Sequence, residues 1–318
     1  MVHTCILYGS HYGSTREIAQ TLVRILGPAR ASSVDEFAPS SCAYEFVVIG
    51  TPIFGEVPDP KITRFVEENQ DWLALRKVAL FTSSLALDEN GRYRTSLSRL
   101  IGPSLVSETS LGGRLDIASL DTADRAAMEA FARATGSSVD NADTLDWSAV
   151  AAWGLKLKDI RDSLGYHLDD GSLRSEIDHF LCSHNTCTLA TTGGGGVRAT
   201  PIEYVYAAGC LYFLSEGGAK FANLLLNPHV SVCIFDPYHT MADVGGLQLT
   251  GTARLVDPLD VDADRVLGAQ HLTREKLGQL PFDLNIIEVR IERAELLLSV
   301  LSKRGVDSRQ TYDFPHST

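Results

Sequence analysis

Gly9-Ser10-His11-Tyr12-Gly13-Ser14-Thr15 sets aliphatic hydroxyls, a histidine and two glycines directly behind the apolar run Ile6-Leu7-Tyr8. The hydroxyls of Ser10, Ser14 and Thr15 can donate hydrogen bonds to a phosphate, and Gly13 removes a side chain where the backbone must come close to it. The same residues also suit an ordinary helix start in which Ser14 satisfies the first turn. Two later stretches, Thr51-Pro52-Ile53-Phe54-Gly55 and Ser83-Ser84-Leu85, again follow short apolar runs. Phe54 is a candidate for stacking on a flat ring, with Tyr93 a second aromatic of the same kind.

These turns need elements to hold them. Residues 1 to about 135 alternate short apolar runs with amphipathic segments, which is the pattern of a parallel sheet covered by helices on both faces. Strands are expected at Thr4 to Tyr8, Phe46 to Gly50, Val78 to Ser83 and Leu111 to Ile117, and helices at Thr15 to Leu26, Pro60 to Asn69 and Thr122 to Thr135. In the first helix Ile18, Ala19, Leu22, Val23 and Leu26 share one face. The candidate turns then lie at the carboxyl ends of parallel strands, where doubly wound sheets bind ligands. The polar stretch GSSVDNADT and the later HLDDGS mark a junction around one short helix, Trp147 to Lys156.

Beyond the junction the period changes. A helix from Ser172 to Ser183 precedes strand-like runs at Cys187 to Thr191, Pro201 to Tyr206, Leu211 to Ser215, Val230 to Phe235 and Leu247 to Val256, a pattern that suits a small antiparallel barrel. The four glycines at 193 to 196 read as a flexible hairpin turn.

The composition narrows the chemistry. The chain has 318 residues, 28 Lys plus Arg against 40 Asp plus Glu, and 44% hydrophobic residues. A formal charge of −12 opposes a broad phosphate-backbone surface, so nucleic acid is not the expected partner. Cysteines at 5, 42, 182, 187, 210 and 233 form no CxxC pair, which disfavours structural zinc and a disulfide scaffold. No metal site is expected, and His179 and His184 near Cys182 and Cys187 make only a weak cluster. The opening MVHTCILYGS resembles neither a signal peptide nor an anchor, pointing to a cytoplasmic protein with no membrane partner.

The motifs ILYGSHYGSTREIA, VVIGTPIFG and LFTSSLA, with a later LGGRLD, together resemble a flavodoxin domain of the branch that includes the menaquinone-dependent protoporphyrinogen oxidase. The resemblance implies that Ser10, His11, Tyr12, Gly13, Ser14 and Thr15 hold an FMN phosphate. It also implies that Thr51, Pro52, Ile53, Phe54 and Gly55, with Ser83 and Ser84, flank the isoalloxazine. Tyr12 departs from the family, where a small hydroxyl residue commonly reaches the phosphate, and a phenol there is expected to weaken FMN binding.

The run VRATPIEYVYAAGCLYFLSEGGAKFANLLLNPHVSVCIF, with YHTMADVGGLQLTGTARLV and LLSVLSKRGVDSRQTYDF, resembles the FMN-binding split barrel of the pyridoxamine phosphate oxidase superfamily. That likeness implies a phosphate gripped by Ser215 and Lys220, with Arg198 as a second cation, and a flavin ring along Thr200, Pro201 and Ile202. Arg309 and Gln310 would reach the flavin of the same or a partner subunit across a two-fold axis. Leu214 stands where nitroimidazole-reductase-like barrels often have histidine. His229 and His239 are more simply structural.

The expected architecture is a flavodoxin-like α/β doubly wound parallel sheet over residues 1–150, a linker over 151–171, and a mainly antiparallel β split barrel with flanking helices over 172–318. The expected function is that of an FMN-dependent oxidoreductase or electron-transfer flavoprotein with one or two FMN per chain. It would work as a homodimer on a small conjugated substrate, with NAD(P)H or reduced ferredoxin as donor. A haem-binding or haem-degrading barrel and a non-enzymatic flavin-binding protein are the alternatives. No nucleophile–base pair, Walker-type loop or GxGxxG after a strand stands out, and the catalytic residues stay unassigned.

Overall fold

A computed structural model describes residues 2–39, 44–86, 91–136, 138–257 and 261–315; Cys42 and Ser137 fall outside them. The chain divides into two compact units, Met1–Gly165 and Tyr166–Thr318.

In the first unit, β1 (Thr4–Tyr8), β2 (Ala29–Ser33), β3 (Phe46–Phe54), β5 (Lys77–Ser83) and β6 (Leu105–Leu111) form a parallel sheet in the order β2-β1-β3-β5-β6. The short β4 (Val57–Pro58) folds back on the end of β3. Strand residues alternate between two cores, as the pleat requires. Ile6, Val48, Ala79 and Phe81 face α1 (Ser14–Leu26). Cys5, Leu7, Val47, Ile49, Val78 and Leu80 face α2 (Pro60–Glu68), α3 (Gln70–Ala74) and α4 (Thr95–Ile101). On α1 the expected apolar face is buried at Ile18, Ala19, Leu22 and Leu26.

The last parallel strand is Leu105–Leu111, six residues earlier than the expected Leu111 to Ile117. It is an edge strand rich in hydroxyls, so it lacks a strong apolar run; Ser107 is buried by accepting the Trp153 indole N–H at 3.0 Å. The short β7 (Arg114–Leu115) and β8 (Ala142–Asp143) pair on either side of α5 (Thr122–Thr135). Residues 151–171 contain most of a packed helix, α6 (Trp147–Asp162). Its Val150, Trp153 and Leu157 join the α1 core, and the buried Arg161 donates to the Gly27 carbonyl at 3.2 Å.

In the second unit α7 (Asp170–Ser183) covers a curled antiparallel sheet. Its strands are β9 (Thr186–Thr191), β10 (Arg198–Glu203), β11 (Val205–Ala207), β12 (Cys210–Ser215), β13 (His229–Phe235), β14 (Gly245–Val256), β15 (Asn285–Leu298) and β16 (Arg309–Asp313). They run in the order β10-β9-β13-β14-β15-β12-β11, with β16 on β15. One helix, α8 (Ala219–Leu226), separates β12 from β13. The core collects Leu181, Leu189, Phe213, Val232, Leu249, Val289 and their neighbours. No helix among the described residues is long and apolar enough to cross a membrane.

Candidate functional site

In the first unit the chain order places β1 and β3 side by side with helices leaving on opposite faces, so the turns after both strands open at the point where the winding reverses. Ligands of open α/β sheets bind at such a point. Gly9 follows β1 and donates to the Gly50 carbonyl at 3.1 Å. Gly13 then takes φ +99°, a left-handed conformation that suits glycine, and a Cβ there would meet nothing within 4 Å. Helix α1 begins at Ser14 without a side-chain cap, so its first N–H groups face the turn. Ser10 Oγ accepts from Gly13 N–H at 3.2 Å, and Ser14 Oγ accepts from Arg114 N–H at 3.0 Å; each hydroxyl keeps its own proton for a ligand. Thr15 is buried on the inner face of α1.

Tyr12 turns away from the turn's hydroxyls. Its phenol donates to Asp124 in the first turn of α5, and this hydrogen bond, followed by burial, holds its pKa above the ordinary tyrosine value. His11, Tyr12 and Phe54 form an aromatic group, with Phe54 edge-on to His11 at 5.3 Å and to Tyr12 at 6.3 Å between centroids. Phe54 stays 40% exposed, as a stacking surface needs. Beyond it, Gly55 and Glu56 turn the chain, and Glu56 pairs with Arg92, whose guanidinium lies over the Tyr93 ring. The loops carrying both stacking candidates are therefore tied together.

Three residues expected at the ring edge are buried in the scaffold. Thr51 Oγ1 accepts from Asp59 N–H at 3.0 Å and donates to the Pro52 carbonyl, while Pro52 itself is buried in β3. Ser83 donates to the Gly112 carbonyl at 3.1 Å. Ile53 and Ser84 are part-buried, and Gly55 is exposed.

The second unit gathers its candidates around the start of α8. Ser215 ends β12; Gly217 and Gly218 follow at φ +148° and +109°, and the helix then begins with no side-chain cap. Ser215 Oγ bonds the Gly217 backbone at 3.3 Å. Lys220 is only 8% exposed, and its ammonium donates to the Gly217 carbonyl at 2.6 Å. Burial and then the charge of Arg198 push its pKa down, with Glu216 opposing. Two cations thus stand near each other beside an uncapped helix start, an arrangement that an anion would relieve. Thr200 and Ile202 are part-buried and Pro201 is exposed on β10, which ends the sheet and leaves its outer edge without a strand partner among the described residues.

Asn223, fully buried on α8, is the functional candidate that residue patterns missed. Its Oδ1 accepts from Gly195 N–H at 2.7 Å, and its Nδ2 donates to the Gly196 carbonyl at 2.7 Å and to Thr191 Oγ1 at 3.1 Å. The glycine run is therefore a clamped turn and not a loose one. A Cβ on Gly193 would come within 2.8 Å of the Asn223 carbonyl oxygen, and one on Gly195 within 2.9 Å of Asn223 Oδ1. The signal available in the sequence was an amide one helical turn after Lys220, opposite a run of residues without side chains.

Gln310 lies elsewhere. It is 1% exposed and spends its amide on the entry to the unit: Oε1 accepts from Leu168 N–H and faces His167 Nδ1, and Nε2 donates to the carbonyls of Asp307 and Tyr166. These partners tie the Gln310 amide to the segment from Tyr166 to Leu168. Arg309 is exposed on β16 opposite Leu297. His229 and His239 are exposed at a strand start and in a loop, and Leu214 packs in a small satellite core.

The flavodoxin domain family matches residues 5–141, and the pyridoxamine 5'-phosphate oxidase family matches residues 173–298. No curated protein matches the chain. Among solved structures, the haem storage protein HutZ from Vibrio cholerae is similar at 20% identity, covering 39% of this chain and 92% of that one, with a TM-score of 0.33. A putative pyridoxamine 5'-phosphate oxidase from Listeria innocua is similar at 21% identity over 39% and 98% of the two chains, with a TM-score of 0.31. ChuZ of Campylobacter jejuni is similar at 15% identity over 57% and 84%, with a TM-score of 0.37. The chain thus joins a flavodoxin domain to a pyridoxamine 5'-phosphate oxidase domain.

Proposed function

We propose that the protein is an FMN-dependent oxidoreductase whose second unit holds flavin for a small conjugated substrate and whose first unit exchanges electrons with it. The observation that carries this reading is the buried Lys220 beside Arg198 at the uncapped start of α8. A buried ammonium that feels the charge of a second, exposed cation is costly by itself and favourable around a phosphate. Ser215 adds a hydroxyl, and the exposed edge of Thr200, Pro201 and Ile202 offers a wall for a planar ring. In the first unit the hydroxyls of Ser10 and Ser14, the N–H groups at the start of α1 and the exposed face of Phe54 suit the phosphate and the ring of a ligand of the same kind.

When bound, flavin supplies one- and two-electron transfer chemistry. The chain's own contribution is to fix the phosphate, orient the ring and hold the two sites on one polypeptide, which raises the effective concentration of each for the other. Val197, Leu225 and Leu226 are exposed beside the glycine turn, and this apolar surface supports pairing with a second copy. NAD(P)H and reduced ferredoxin are the candidate donors.

The test is the absorbance spectrum and flavin-to-chain ratio of the purified protein after FMN titration. Lys220→Met should remove flavin from the second unit and leave any equivalent bound by the first. Stopped-flow reduction by NADPH or reduced ferredoxin, followed by reoxidation with candidate acceptors, then reads turnover. A colourless protein that takes up no FMN overturns the proposal, and a flavin that binds without cycling overturns its enzymatic part.

A further inference from the structure

Helix α5 runs for 14 residues, Thr122–Thr135, and buries one of them, Ala132. Phe131 is 61% exposed on it. An isolated helix of this length is marginal in water, and most helices are held by packing an apolar face. Helix α5 is held near its ends instead. At its base β7 and β8 pair Arg114 with Asp143 and Leu115 with Ala142, and Ile117 N–H donates to Asn141 Oδ1 at 2.9 Å. Asp121 caps the first turn through Oδ1, which accepts Asp124 N–H at 2.8 Å, and Arg125 donates to the Ile117 carbonyl at 2.6 Å. An element with so little buried surface opens locally at small free energy.

That first turn is fastened to the Ser10–Thr15 turn through Tyr12. The Tyr12 phenol donates to the Asp124 carboxylate, and Asp121 N–H lies 3.5 Å from the phenol oxygen. The bond to Asp124, ahead of burial, holds the phenol above the ordinary tyrosine pKa, so the hydroxyl keeps the proton it donates. The fastening sets the carboxylates of Asp121 and Asp124 beside Tyr12, where their charges reach its hydroxyl. On either side of Tyr12 the turn is closed on itself, with Gly13 N–H donating to Ser10 Oγ at 3.2 Å. Both features oppose a phosphate, the first by like charge and the second by occupying a backbone donor.

We propose that the Tyr12–Asp124 hydrogen bond is an autoinhibitory latch: with α5 fastened to the turn the first unit binds a flavin phosphate weakly, and the site fills as the latch opens and α5 moves away. The inference rests on the reading that the turn holds FMN. Because ligand and latch compete, the apparent affinity is the intrinsic affinity scaled by the unlatched fraction. The coupling is reciprocal, so FMN must favour opening by the factor by which opening favours FMN.

The experiment titrates FMN by flavin fluorescence in the full-length protein carrying Lys220→Met and Arg198→Gln, which silence the second unit, and follows hydrogen exchange of residues 121–135 with and without FMN. Tyr12→Phe keeps the ring and removes the donor, and Asp124→Ala keeps the phenol and removes the acceptor. Each should lower the FMN dissociation constant by a factor between about three and ten, and the pair together should do no more than the stronger of the two, since both break one bond. Riboflavin, which lacks the phosphate, should bind with and without these substitutions alike. Exchange in α5 should quicken in either variant without ligand, and in the latched protein on adding FMN. FMN affinity within twofold in both variants, or exchange in α5 that FMN slows, overturns the latch while leaving FMN in the first unit. Absence of FMN uptake in every background overturns the reading of the turn as well.

Discussion

Asn223→Leu removes the clamp between α8 and the glycine turn while keeping side-chain volume and burial close to the original. Its three hydrogen bonds, at 2.7, 2.7 and 3.1 Å, would each contribute about 0.5–1.5 kcal/mol if all partners were lost to one another. Gly195 and Gly196 are exposed, so water replaces their share at small cost. Thr191 is 3% exposed, and its hydroxyl loses a buried partner, which costs about 1–3 kcal/mol. The net expectation is a loss of about 2 kcal/mol in the second unit. The first unit should be unaffected, because Asn223 belongs to the other compact unit. The two can be read apart: Trp72, Trp147 and Trp153 all lie in the first unit, so tryptophan fluorescence follows it, while the second unit contributes to far-ultraviolet circular dichroism. Arg198 follows the turn by two residues and Lys220 precedes Asn223 by three, so FMN affinity of the second unit should fall about tenfold along with stability. An Asn223→Leu protein with unchanged unfolding and FMN affinity within twofold of wild type refutes the clamp.

Gly193→Ala should destabilise the second unit by about 1–3 kcal/mol, since its Cβ meets the Asn223 backbone, whereas Gly194→Ala should be tolerated because it meets only the Leu226 side-chain tip; urea unfolding separates the two. Tyr12→Thr should strengthen FMN binding in the first unit several-fold by returning a small hydroxyl to the turn, and a weaker dissociation constant in a fluorescence titration would contradict this. Burial, with a smaller effect from Cys233, pushes the Cys187 thiol up to about 12, so at pH 8 it should stay unreactive toward a disulfide reagent. The exposed Cys182 reacts, and Cys182→Ser removes that phase. Arg254→Ala should cost about 1–3 kcal/mol, because Glu288 is 8% exposed and loses a two-pronged partner at 2.7 Å; chemical denaturation checks it.

Hydrophobic period carried most of the architecture. Strands β1, β3, β5, β9, β12, β13 and β14 and helices α1, α2 and α7 were legible because each buries a clear apolar set, whereas α5 buries only Ala132 and β10 no residue. The elements that were missed bury less or hide it. Edge strand β2, Ala29–Ser33, holds no large apolar residue, and β6 carries its apolar residues at the ends. The long β15 places Glu288, Arg290, Glu292, Arg293 and Glu295 among its apolar positions, which reads as a solvated segment until the pairing of Glu288 with Arg254 and Arg293 with Asp313 is known. Helix α6 was shortened because its apolar stripe is narrow, although Trp153 and Leu157 anchor it. For the sites, residue type leaves the Ser10–Thr15 turn open between a phosphate turn and an ordinary helix start, and the family likenesses single it out together with Ser215 and Lys220. Asp59, Asp124 and Asn223 could not be read the same way, since each acts across a distance in sequence that only tertiary pairing closes.

The two proposed phosphate sites differ in how they obtain positive charge, and the difference bears on which way electrons would be passed. In the second unit the charge comes from Lys220 and Arg198, and the ammonium is buried against a backbone carbonyl. In the first unit the turn draws on free helix N–H groups and one half-exposed histidine, among acidic neighbours. A site of the first kind retains its ligand through many cycles, whereas a site of the second kind exchanges it. On the proposed function, the barrel would be the place for a resident flavin that meets substrate. On the same reading, the first unit, with helix N–H groups and one half-exposed histidine among acidic neighbours, would hold its ligand the less tightly of the two.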